Sequence, residues 1–191
     1  MKANSGSRGW GRCPTLVLLP ENTAFVIFMR APDYMLCKDS YFPYICHMEQ
    51  DEKLMREALA EARAAAAQGE IPIGAVIAWK GRIIGRGHNM TEQLHDTTAH
   101  AEMIAVTAAS QAMGGKYLTD CTLYVTVEPC PMCAGALAWS QISRIVYGAP
   151  DPRRGYSLFT PSLLHPRTEA IGGVLADECS ALMLEFFKDK R

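Results

Sequence analysis

The chain contains no run of about 18 apolar residues, so none of its helices can be read as crossing a bilayer. It also has almost no net charge: 19 Lys and Arg stand against 20 Asp and Glu, −1 overall. That balance excludes any whole-molecule electrostatic argument for nucleic acid, so such a partner has to be read from a local patch. A regular disulfide framework is missing as well. The seven cysteines are odd in number and scattered, and two of them form a C-x-x-C, which in a reducing compartment points to metal or redox chemistry. No internal repeat is visible, and the only biased tract is the alanine run at 64–67. What is present is the composition of an ordinary globular protein, 49% apolar and 20% charged, in 191 residues. That length suits one domain, or one domain plus a tail.

Residues 1–47 and 48–191 do not look alike. The first stretch holds Pro14, Pro20, Pro32 and Pro43, three lone cysteines (Cys13, Cys37 and Cys46) and no sustained hydrophobic period. Its apolar run at 15–29 faintly imitates a signal peptide, but Pro20, Glu21 and Asn22 interrupt it and no A-x-A site follows. The lack of acids before Glu21 gives a weak transit-peptide resemblance. The reading is therefore an N-terminal extension over 1–47, disordered or the product of a mis-set start at a chain whose initiator is Met48, followed by a folded domain over 48–191.

From Met48 the pattern becomes regular. Leu54, Met55, Ala58, Leu59 and Ala62 fall at helical spacing, with Glu49, Asp51 and Glu52 at the expected positive end, and the helix stops at Gly69. Residues 73–79 and 82–88 read as a hairpin closed by Lys80-Gly81. A helix is expected over 100–113, a strand over 122–127, a helix over 131–140, strands over 144–147 and 168–171, and a last helix from 177. This order gives an α/β fold whose sheet carries helices on both faces.

Two short segments carry chemistry: His100-Ala101-Glu102, and Pro129-Cys130-Pro131-Met132-Cys133. Cys130 and Cys133 lie three apart, on one face of a helix, where both can grip one ion. Pro131 suits a first helical turn, and the helix start favours the thiolate form of the cysteines. One imidazole and two thiolates match zinc better than a hard cation, and three protein ligands leave a tetrahedral position open for water. Glu102, two positions from His100, can reach that water as a proton shuttle. A redox pair would leave His100 and Glu102 unexplained. A structural zinc would need a fourth protein ligand, and the nearby candidates His88, His95, Cys121 and Cys179 have no motif-like spacing.

The order H-x-E…P-C-x-x-C is that of zinc-dependent nucleobase deaminases. Over residues 48–191 the chain resembles the bacterial tRNA-specific adenosine deaminases of the TadA type, through 69–76, His88-Asn89, 96–102, 125–130, 132–137 and 172–179. The resemblance implies a cytidine deaminase-like three-layer α/β/α fold with a mixed sheet of about five strands. It implies one zinc per subunit on His100, Cys130 and Cys133, with Glu102 as the catalytic residue. Asn89 and the backbone amide of Ala101 would hold the flipped base, and Asp151 would contact the sugar of a neighbouring nucleotide. The implied reaction turns adenosine into inosine at the wobble position of a tRNA anticodon loop, in the cytoplasm, by a homodimer whose partner subunit helps bind RNA. The stretch 153–166 departs from the best-known members, which have a glycine-rich turn and a His-Pro-containing run there.

Between 144 and 167 the sequence itself offers four arginines (Arg144, Arg153, Arg154, Arg167) against one acid, interleaved with Tyr147, Tyr156, Phe159 and His165. That mixture suits a single-stranded RNA loop, and it equally suits a solvated loop with Tyr147 and Phe159 in the core. The rival reading is a deaminase of a free base or nucleoside such as guanine, cytosine or cytidine, which would share every metal ligand. A second rival is a non-catalytic zinc module, which would have no use for Glu102.

Overall fold

Strands in this chain alternate between two buried faces, and each face has its own helices. In the computed structural model, which describes residues 42–188 and side chains from residue 47, the elements run in the following order. Helix α1 spans Phe42–Ala67, β1 Gly74–Trp79, β2 Arg82–His88, α2 Thr91–Leu94, α3 Ala101–Met113 and β3 Cys121–Val127. Helix α4 spans Pro131–Trp139, β4 Arg144–Ala149, β5 Glu169–Gly172 and α5 Ala176–Lys188, with a 3-10 turn at Tyr156–Leu158. The sheet order is β2-β1-β3-β4-β5, antiparallel on the β2-β1-β3 side and parallel from β3 to β5.

Period-two burial explains the layering. Ala75, Ile77, Leu123, Val125 and Ile145 point to one face and pack against Ala101, Ala105 and Ala109 of α3 and Leu137 of α4. Val76, Ala78, Tyr124 and Val146 point to the other and meet Leu54, Met55, Ala58 and Leu59 of α1 and Cys179 of α5. This is the expected three-layer α/β/α fold with a mixed five-stranded sheet. The hairpin turn falls at Lys80-Gly81, both at positive φ (49° and 76°), the left-handed geometry that a two-residue turn between twisted strands needs.

Two expectations differ from the structure. Helix α1 begins at Phe42, ahead of the expected boundary at 48, so Glu49, Asp51 and Glu52 sit inside the helix rather than at its positive end. Asp51 is instead buried, with its carboxylate paired to Arg144 (Nη1 and Nη2 each at 2.7 Å) and accepting a bond from the Tyr124 hydroxyl at 2.9 Å. Arg144 therefore does not belong with the other arginines of 144–167: it opens β4 at the far end of the sheet. The reading of residues 1–41 as an extension lies outside the described residues.

The register sets the site's position. The β3–β4 parallel pairing ends at Val127 opposite Ala149, and Gly74 of β1 pairs with His88 at the same end. The loops after β2, β3 and β4 thus leave the sheet together, outside the carboxyl ends of the parallel strands, where α/β sheets place their ligands.

Candidate active site

Both chemistry-bearing segments occupy helix starts. His100 is the N-cap of α3, with extended backbone (φ −72°, ψ 156°), and Cys130 is the N-cap of α4 (φ −72°, ψ 168°) with Pro131 in the first turn. The unpaired N–H groups of the two helix starts give the site fixed partial positive charge. The Nδ1 of His100 lies 3.6 Å from Cys130 Sγ and 3.5 Å from Cys133 Sγ, and all three donor atoms fall within 4.8 Å of one another. A tetrahedral zinc with ordinary bond lengths spaces nitrogen and sulfur by ~3.5 Å, so the donor set fits the ion in both chemistry and spacing. Among the described residues no fourth His, Cys, Asp or Glu joins this group. His88 instead faces Glu61 at 3.1 Å, His95 is exposed at the end of α2, and Cys121 and Cys179 are buried in separate cores.

Glu102 is 3% exposed, and its Oε2 is buried with no hydrogen-bond partner. An orphaned buried carboxylate oxygen is costly, and a folded protein keeps one where something else is meant to meet it. Burial pushes its carboxyl up to about 7. The cysteines split: a bond from Cys133 brings Cys130 down to about 4, while the same bond and burial raise Cys133. The site thus favours the thiolate at Cys130 and the thiol at Cys133, and metal binding requires both as thiolates.

His100, Glu102, Cys130, Asn89 and Asp151 line one cavity of about 700 Å³. Cys133 lies buried behind it and reaches the metal group only through Sγ. Ala101 is fully buried at the first position of α3 and is not among the residues that line the cavity. Asp151 spends one carboxylate oxygen on the backbone N–H groups of Arg153 and Arg154, at 2.9 and 3.0 Å, and so shapes its own turn. Arg153, Arg154, Phe159, Met183 and Phe187 form a rim of mixed charge and apolar surface. Tyr147 and Tyr156 are not part of it; their rings pack edge to face at 6.2 Å beneath the loop.

Two acids that sequence reasoning did not assign support these walls. Glu70 is 1% exposed and accepts bonds from Asn89 Nδ2 (2.9 Å) and from the backbone N–H groups of Glu92 (3.0 Å) and Gln93 (2.8 Å) at the start of α2. Burial alone would raise its carboxyl, but these donors outweigh it and hold the group below its ordinary value. Asn89 Nδ2 also meets Thr91 Oγ1 at 3.0 Å, so both amide hydrogens have partners within the protein. Glu128 is 5% exposed and accepts from the backbone N–H groups of Asp151 and Ser157, each at 3.0 Å. Its position next to Pro129-Cys130 was the one available signal in the sequence.

Comparison with known proteins agrees with this geometry. Residues 48–149 match the family model for the cytidine and deoxycytidylate deaminase zinc-binding region. A tRNA-specific adenosine deaminase from Bacillus subtilis is 44% identical over 149 residues, covering 75% of this chain and 92% of that protein. A solved structure from work on A-to-I editing by tRNA:A34 deaminases at the wobble position superposes with a TM-score of 0.65 at 39% identity, covering 68% of this chain and 98% of that one. A guanine deaminase from Nitrosomonas europaea superposes with a TM-score of 0.59 at 26% identity, covering 71% and 83%. The chain belongs to the zinc-binding cytidine and deoxycytidylate deaminase superfamily, within its family of tRNA-specific adenosine deaminases.

Proposed function

We propose that this protein is a zinc-dependent hydrolase that converts adenosine to inosine at the wobble position of a tRNA anticodon loop. The observation that carries the reading is the partnerless buried oxygen of Glu102, set beside a three-donor group at the floor of a cavity. His100, Cys130 and Cys133 would hold one zinc per subunit. When bound, zinc supplies Lewis-acid activation that brings a water's pKa toward ~7. Burial favours the protonated form of the Glu102 carboxyl, which suits it to accept and hand on a proton. It takes a proton as the water oxygen bonds to the amine-bearing ring carbon, and delivers it to the adjacent ring nitrogen. It then takes up the second water proton and protonates the departing amine, so adenosine and water become inosine and ammonia. Asn89 presents its amide oxygen to the ligand because Glu70 and Thr91 hold the nitrogen, which suits a hydroxyl or N–H of the nucleoside. The Ala101 amide serves the base.

The rim supports a polynucleotide over a free base: Arg153 and Arg154 are exposed for phosphate, and Phe159 and Phe187 are exposed at 47% and 43% for stacking on splayed bases. Trp139 and Met132, exposed at 85% and 38% on a helix with no charged residue, support assembly of two copies through α4. Among the described residues no helix is long and apolar enough to cross a membrane, and the cytoplasm is the compartment we assign. The test compares an anticodon stem-loop bearing adenosine at the wobble position with free adenosine, guanine and cytidine. Inosine in the stem-loop, with the free compounds poor, is the expected result. Preferential turnover of guanine or cytidine would transfer the reading to the small-molecule deaminases.

A further inference from the structure

Glu128 sits between the end of β3 and the first metal-donor cysteine, and its carboxylate is engaged by the loop that follows β4. Each oxygen accepts one backbone N–H from that loop: Oε2 from Asp151, where it begins, and Oε1 from Ser157, where it turns back. The backbone is tied at the same two places, through Glu128 N–H to the Ala149 carbonyl (2.9 Å) and Tyr156 N–H to the Pro129 carbonyl (3.0 Å). Gly155, buried in the loop, lies so close to the Glu128 carboxyl that any Cβ there would collide with it. Among the described residues no Lys, Arg or His side chain forms an ion pair with Glu128. A buried carboxylate held by peptide N–H groups at both ends of one loop is a clamp on that loop's shape.

The clamped loop presents Asp151, Arg153 and Arg154 to the cavity, and Asp151 in turn bonds the amides of both arginines. We propose that Glu128 is a positioning residue that fixes loop 150–157 against the metal-donor segment and thereby sets the affinity for the RNA around the reacting base. It lies on the wall of that cavity, but both its oxygens are engaged by the loop's own amides. This rests on the wobble-adenosine reading above. The loop meets nucleotides that do not react, so it grips them equally in the ground state and the transition state. Removing the clamp should therefore act on KM rather than kcat.

The test uses the zinc-loaded full chain with Glu128→Ala, Glu128→Gln and Gly155→Ala, an anticodon stem-loop RNA, bound-zinc analysis, and hydrogen exchange at the amides of Asp151 and Ser157. Glu128→Gln keeps the shape but only one acceptor, so it stays interpretable if the alanine variant folds poorly. Expected are exchange at both amides faster by about tenfold or more, KM raised by about tenfold, kcat within about threefold of the parent, and zinc unchanged, with Gln intermediate. Gly155→Ala reaches the same outcome from the loop side. In an Arg153→Ala/Arg154→Ala background the Glu128→Ala effect on KM should shrink, because both act through one loop. Unchanged exchange, unchanged KM, a collapse in kcat with zinc loss, or full additivity with the arginine variants would each overturn the proposal. An unsubstituted protein inactive on the stem-loop would overturn the functional reading instead, and the exchange rates would still decide the clamp.

Discussion

The two ends of the sheet are made from similar materials and do different things. At the end where β4 begins, Asp51, Arg144 and Tyr124 form a closed network in which both carboxylate oxygens of Asp51 are bonded. At the end where β3 and β4 finish, Glu70 and Glu128 are equally well supplied, yet Glu102 among them keeps an oxygen with no partner. A cavity opens at each end, of about 840 Å³ beside the Asp51 network and about 700 Å³ beside Glu102, so size does not separate structure from chemistry. Satisfaction does: polar groups that are fully bonded hold the fold, and the Glu102 oxygen, left wanting among the described residues, marks where a ligand must come.

Breaking the active end should have the largest effect. Stripping the metal with a chelator should abolish deamination entirely, and adding zinc should restore it. Loading should release protons, read by calorimetry in buffers of different ionisation enthalpy, because Cys133 holds its proton until the metal arrives. Metal affinity should accordingly fall as the solution is acidified.

Breaking the silent end should cost stability and spare chemistry. Asp51→Ala leaves Arg144 without its main partner; since Arg144 is 22% exposed, water repays part of the loss, and we expect about 2 kcal/mol in denaturant unfolding with kcat unchanged. A large fall in kcat with zinc retained would erase the contrast between the ends.

Glu70 sharpens the comparison because it is a structural acid placed at the active end. Glu70→Gln should lose about 1 kcal/mol of stability near neutral pH and loosen the amide of Asn89, raising KM. The sign of its pH dependence follows from its lowered carboxyl. Its contribution is complete above the unfolded value of 4.5 and disappears as pH falls through the lower folded value, so the gap between parent and variant should close below pH 4.5. The smallest expected effect is that of Arg154→Ala, which should weaken RNA binding and reduce the slope of log affinity against log salt by about 0.7, the share of one single-strand phosphate.

Much of this architecture was legible in the chain. The hairpin at Lys80-Gly81, the alternating strands and the helix starts at His100 and Cys130 follow from local pattern, and they suffice to bring three donor atoms together. What sequence concealed is long-range pairing. Arg144 looked like part of an arginine cluster because it is near Arg153 in the chain, but the sheet carries them to opposite ends, and its partner Asp51 lies 93 positions away. Glu70 and Glu128 were hidden for a related reason. Their work is to accept backbone N–H groups 22 to 29 positions along the chain, and a backbone donor leaves no mark in a sequence. Phe187 and Met183 reach the rim only because α5 folds back over the active end.

That Glu102 is the proton carrier at an otherwise complete three-donor site is tested most directly by Glu102→Gln. The change keeps the side chain's shape and removes its ability to cycle a proton. Bound zinc and inosine formation in the anticodon stem-loop should be measured on the same preparation. The expected result is zinc equal to the parent's, with inosine formation reduced by about 10³-fold or more. An active glutamine variant would contradict the assignment.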